Sequence, residues 1–113
     1  LGTIFTEVRL KQVIEFRSLD TCNFGCICNG PSFFTGLIYG SIDETYEIIK
    51  NWRKEEVMQA YLNAPKLGLN ATLEGKKLID WARIFFDLSK KGLEKRNEVN
   101  KSGKNETIYL KHI

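Results

Sequence analysis

Lys76-Lys77-Leu78-Ile79-Asp80-Trp81-Ala82-Arg83-Ile84-Phe85-Phe86-Asp87-Leu88-Ser89-Lys90-Lys91-Gly92-Leu93-Glu94-Lys95-Arg96 carries one apolar stripe. Leu78, Trp81 or Ala82, Phe85, Leu88 or Ser89, and Gly92 or Leu93 recur at 3.6-residue spacing. The pattern predicts an amphipathic helix over residues 76–97, with Asp80 and Asp87 off the stripe. Working back from it, residues 72–75 read as a turn or short extended piece. A short helix over 53–62 turns Val57, Ala60 and Tyr61 inward, and Pro65 and Gly68 end it. Ser41 or Asp43 caps a helix over 43–52. Phe33, Phe34, Leu37 and Ile38 give residues 32–39 an i, i+4 stripe, with Pro31 at a helix's first position and Gly40 as the stop. Residues 23–31 read as loop, as do residues 100–105. Ile108, Tyr109, Leu110 and Ile113 form a last apolar patch.

The N-terminal end has a different period. Gln12-Val13-Ile14-Glu15-Phe16-Arg17 alternates after Ile14 in the manner of a strand. In a strand, Val13, Glu15 and Arg17 share one face, while Ile14 and Phe16 take the other. The fold class is therefore α+β, mainly helical, with short strands at the N-terminus. The chain reads as one unit over 1–113: a strand region at 1–20, short helices over 31–64, the long helix at 76–97 and a tail at 98–113.

The 113 residues hold 17 Lys+Arg and 14 Asp+Glu, a net charge of +3. A chain of this length fits one small domain and buries roughly 65% of its unfolded surface. No apolar run approaches the roughly 18 residues of a membrane span, so no membrane role is expected. Most of the basic excess follows Ser89, but Glu94, Glu98 and Glu106 dilute it, so a nucleic-acid footprint is not expected either. The chain opens Leu1-Gly2-Thr3 without Met or a signal-peptide pattern, which suggests a fragment or a processed chain.

Cys22, Cys26 and Cys28 follow a C-x3-C-x-C spacing, with no second pair and with His112 far along the sequence. A structural zinc site wants four ligands, and an odd count argues against a secreted disulfide framework. Buried or partly buried free thiols in a reducing cytoplasm are the expectation. Asn70-Ala71-Thr72 and Asn105-Glu106-Thr107 match the glycosylation pattern and are read as chance.

The chemistry lies in the first strand region. A carboxylate and a guanidinium two residues apart on one strand face can hold a hard divalent cation and a phosphate oxygen. An ATP-dependent ligase needs that pairing; a solvent-exposed ion pair is the plainer alternative. Arg9 and Lys11 add cations just upstream.

Glu7-Val8-Arg9-Leu10-Lys11, Ile14-Glu15-Phe16-Arg17-Ser18-Leu19-Asp20 and Gly36-Leu37-Ile38-Tyr39 resemble glutamate–cysteine ligases of the plant and alphaproteobacterial type. The resemblance continues through Pro65-Lys66-Leu67-Gly68-Leu69, Gly92-Leu93-Glu94-Lys95-Arg96 and Asn105-Glu106-Thr107-Ile108-Tyr109-Leu110. It implies the C-terminal piece of a glutamine-synthetase-like catalytic fold. It also implies ATP as co-substrate, Mg²⁺, glutamate and cysteine, and the first step of glutathione biosynthesis. In the family, the glutamate γ-carboxylate is phosphorylated and the cysteine amine then displaces phosphate. By position, Glu15 matches the metal-ligand Glu. Arg17 matches the Arg beside the phosphates, a catalytic and nucleotide-binding role. Arg9 and Tyr39 match positions near the amino-acid substrates. Thr6 replaces the family's usual Pro, and Ser18-Leu19-Asp20 replaces its Gly-Ala-Asp.

The resemblance further implies that the remainder of the catalytic domain is a partner and that this chain alone is inactive. A strand edge stripped of its neighbours would favour self-association. The location expected is cytoplasmic. A non-catalytic helical interaction module and a related carboxylate–amine ligase are the rival readings.

Overall fold

The computed structural model describes residues 8–10, 12–16, 23 and 26–110. Strands β1 (Val8–Leu10) and β2 (Ile14–Phe16) form an antiparallel hairpin in the register Val8↔Phe16, Arg9↔Glu15, Leu10↔Ile14. Arg17, expected to continue the alternation, lies outside the described residues.

Helix α1 (Asn29–Thr35) begins inside the segment expected to be loop. Pro31 is its third residue rather than its first. The position costs no hydrogen bond, because the first intrahelical bond is Ser32 N–H to Cys28 C=O, at 3.0 Å. The chain then widens into a π-turn (Gly36–Gly40) that ends at the expected glycine. Helix α2 (Ile42–Ile49) follows. Ser41 holds its N-cap position, but the side chain does not cap: its Oγ donates to the Leu88 carbonyl at 2.8 Å.

Helix α3 (Lys54–Leu67) runs through Pro65, which was expected to end it. The proline φ is helical and its missing N–H forfeits one bond in the last turn. Gly68, at φ 57°, makes the stop and donates its N–H to Ala64 C=O. The inward set also differs. Ala60 is buried, whereas Val57 and Tyr61 are exposed. The apolar arc of α3 is broad, and its edge carrying the small Ala60 faces the body.

Residues 72–77 form a second hairpin, β3 (Thr72–Leu73) with β4 (Lys76–Lys77). Its two-residue turn, Glu74-Gly75, has φ of 50° and 80°, the left-handed pair that closes a tight hairpin. The Glu74 carboxylate accepts from Arg53 N–H at 2.9 Å and Arg53 Nε at 3.2 Å, tying the turn to the start of α3.

Helix α4 (Leu78–Arg96) follows directly, and Asn97 in the left-handed region stops it. Trp81 Nε1 donates to Leu73 C=O at 2.7 Å, and the Trp81 ring meets Trp52 edge-on at 5.1 Å between centroids. Trp52 Nε1 is buried without a hydrogen-bond partner and stands edge-on to both Trp81 and Phe85. The chain closes with a 3₁₀ turn, Glu106–Leu110, packed on α1 and α4.

The main packing contact is α4 against the π-turn. Gly36, Gly40, Ser89 and Gly92 meet backbone to backbone there. A Cβ on Gly40 would lie 2.3 Å from Gly92 Cα, and one on Gly36 2.3 Å from Ser89 C=O. Ser89 is wholly buried and donates its hydroxyl to Phe33 C=O at 2.8 Å. Leu37, Leu93 and Leu110 fill the core beside this crossing, with Leu73, Ala60 and Ala71 beneath the second hairpin. Large apolar side chains, among them Tyr46, Tyr61 and Leu62, are left exposed.

Candidate active-site segment

Two adjoining features frame the segment: the first hairpin and the π-turn. Phe16 stacks on Phe34 of α1, with ring centroids 4.2 Å apart and planes 11° from parallel. That contact fixes which side of β2 faces the helices. Glu15, one residue earlier, therefore belongs to the opposite side. It is partly buried. The register sets Arg9 directly across from Glu15, and directly opposite positions of an antiparallel pair share a face. An acidic and a basic position predicted for the site thus come together in the hairpin. Arg17, expected beside Glu15, lies outside the described residues.

Tyr39 stands elsewhere. It rides on the π-turn, three-quarters exposed, and helps line a recess of about 570 Å³ with Phe16, Pro31, Phe34 and Ile38. Glu15 takes no part in that lining. Tyr39 also borders a second recess of about 340 Å³, lined by Gly40, Asp43, Glu44, Lys95 and Arg96. One ring is thus the wall between an apolar hollow and a charged one. A π-turn departs from the favoured hydrogen-bond spacing, and such turns recur at functional sites.

What holds this turn was not read from the sequence. The Gly36 and Gly40 spacing puts both on one helix face, and Gly92 answers them from α4. The signal is present in two glycine-bearing stretches, Gly36-Leu37-Ile38-Tyr39-Gly40 and Gly92-Leu93-Glu94-Lys95-Arg96, but in the sequence Gly40 reads as a helix stop, Gly92 as a stripe member and Gly36 only as part of a family motif. Arg96 was also missed: its guanidinium carbon lies 5.9 Å from the Tyr39 ring centroid, and its Nη1 donates to Glu106 Oε1 at 2.7 Å.

Among the described residues no three His, Cys, Asp or Glu side chains gather into a metal-holding group. A single carboxylate such as that of Glu15 would meet only part of the several oxygens that octahedral Mg²⁺ draws on. The described residues do not by themselves fit a complete Mg²⁺ site. Cys28 is a free thiol, as expected, but exposed rather than buried, and Cys26 departs from expectation in being disulfide-bonded. Cys22 lies outside the described residues.

The family model of glutamate-cysteine ligase family 2 matches residues 1–113. The chain is 33% identical over 115 residues to a chloroplastic glutamate–cysteine ligase of Solanum lycopersicum, covering 100% of this chain and 21% of the relative. It is 35% identical over 98 residues to chloroplastic glutamate–cysteine ligase A of Oryza sativa subsp. indica, covering 85% and 20%. For the chloroplastic enzyme of Arabidopsis thaliana the identity is 33% over 98 residues, covering 85% and 19%. The chain thus spans about a fifth of the length of these relatives. No solved structure matches it. These relatives are chloroplastic, which overturns the cytoplasmic location expected from the thiols and the missing signal pattern. The motifs of the hairpin, the π-turn and α4 lie within one match that runs from the first residue to the last, and the chain belongs to glutamate-cysteine ligase family 2.

Proposed function

We propose that this chain is the C-terminal part of the catalytic domain of an ATP-dependent ligase. The enzyme joins the γ-carboxylate of glutamate to the amine of cysteine, the first step of glutathione biosynthesis, within a glutamine-synthetase-like fold. The observation that carries this reading is the whole-chain family match. The register that pairs Arg9 with Glu15 on one face of the first hairpin supports it.

In that reaction the glutamate γ-carboxylate oxygen attacks the terminal phosphorus of ATP, and ADP leaves. The cysteine nitrogen then attacks the acyl phosphate carbon, loses a proton and expels phosphate. The chemistry that Mg²⁺ would supply there is neutralisation of phosphate charge. The chain's own part is to bind and orient. Glu15 would supply one of the oxygens around the metal, with the rest coming from the nucleotide and from the longer protein. Arg17 offers a planar guanidinium whose paired donors match phosphate oxygens. Arg9 and Tyr39 border the amino-acid substrates. Exposed Ile42, Tyr46 and Ile49 on α2, and Met58, Tyr61 and Leu62 on α3, are apolar surface for the remainder of the catalytic domain to cover. In its absence the chain self-associates through that surface and the hairpin edge. Neither nucleic acid nor a membrane enters this reading.

The test is phosphate release that depends on ATP, glutamate and cysteine together. The longer protein containing this chain releases phosphate only with all three, and the isolated 113-residue chain releases none. Enzyme-like turnover by the chain alone, or a longer protein indifferent to glutamate or cysteine, would overturn the proposal.

A further inference from the structure

We infer that Arg96 and Glu106 are positioning residues that set the Tyr39 ring against the amino-acid substrate, an inference that rests on the ligase reading above. Tyr39 is 75% exposed on a π-turn, so the body of the chain does not clamp its side chain. Helix α4 reaches it at two points one turn apart. Gly92 packs on the turn's backbone, where any Cβ would strike Gly36 C=O. Arg96, four residues on and on the same helix face, brings its guanidinium to the ring, 5.9 Å from the centroid. The guanidinium is not free to swing: Glu106 accepts from its Nη1 at 2.7 Å, with both side chains only 28% exposed. A carboxylate that holds one edge of a planar guanidinium leaves its other edges and its face for a neighbour. Three separate motifs are thus linked in series: the 3₁₀ turn holds Arg96 at the end of α4, and Arg96 meets the ring on the π-turn. That ring is the wall between the two recesses.

Arg96→Lys keeps the charge and loses the planar fork; Glu106→Gln keeps the size and loses the anchor. In the longer ligase each raises KM for one amino-acid substrate about 2- to 5-fold, the size of an exposed cation–π contact, with kcat changed less than about 2-fold. Tyr39→Phe keeps the ring face and preserves the Arg96 effect. In a Tyr39→Leu background Arg96→Lys adds nothing, because its route to the substrate is gone. An Arg96→Lys effect undiminished by Tyr39→Leu, or a fall in kcat and stability with KM unchanged, overturns the positioning role alone. A longer protein without ligation overturns the ligase reading, and this one with it.

Discussion

Gly92→Ala sets helix propensity against packing, and the two predict opposite signs. Alanine in a helix interior is favoured over glycine by about 1 kcal/mol. At position 92, however, the added Cβ would lie 2.1 Å from the Gly36 oxygen, 2.9 Å from its carbonyl carbon and 3.0 Å from Ser41 Oγ. The nearest two are backbone atoms, so no side-chain rotation relieves the clash. Restoring an ordinary carbon–oxygen contact requires α4 and the π-turn to part by about 1 Å in a close-packed interior. Two hydrogen bonds span that opening, Ser41 Oγ to Leu88 C=O and Ser89 Oγ to Phe33 C=O, each at 2.8 Å. Overpacking of this kind costs about 3 kcal/mol, at the upper end of the usual range. Net of the propensity gain, about 2 kcal/mol of destabilisation remains, a fall in Tm of about 8 °C for a chain of this size. Far-UV circular dichroism on heating, with urea titration read from Trp52 and Trp81 fluorescence, measures it. A Tm equal to or above wild type would refute the reasoning: the crossing would then not be tight.

Ser89→Ala, at a wholly buried site, removes the bond to Phe33 C=O and lowers stability by about 1 kcal/mol in the same titration. Leu93→Ala empties a fully buried core position and costs about 2–5 kcal/mol. The Arg53 backbone N–H, then its side chain, hold the Glu74 carboxyl below its ordinary value. A lowered folded pKa means stability that is present above the unfolded value and lost as pH falls through the folded one. Glu74→Gln therefore flattens the acid limb of a Tm-against-pH profile below about pH 4, and an unchanged limb would count against the Arg53–Glu74 clasp.

The long helix was legible because its apolar residues keep one period for five turns, and α4 starts and stops within two residues of the expected span. The strand was legible from alternation alone, and the hairpin supplied the partner that alternation cannot name. Sequence pattern failed where a rule of thumb is conditional. Proline stops a helix only when its missing N–H and ring cannot be absorbed, and at Pro65, in the last turn, they can. Stripe reading failed on α3 because its apolar arc is broad, running from Ala60 and Ala64 round to Tyr61, Met58 and Leu62, and only its small-residue edge turns to the body. Strand period and family motifs singled out Glu15 and Arg9, and the register sets the two positions opposite each other in the hairpin. Arg96 and Glu106 were not singled out, since a contact across ten residues at the end of a helix has no periodicity to betray it. The glycines of the π-turn were seen as punctuation, because a missing Cβ reveals its purpose only when the facing backbone is known.

The most direct measurement of the central claim is steady-state turnover of the longer ligase carrying Glu15→Gln, with Arg17→Ala alongside. If this hairpin feeds the phosphoryl-transfer site, each substitution lowers kcat by about 10²–10³-fold while the protein stays folded. Near-wild-type turnover in both would contradict the account and leave the hairpin a structural element of the family.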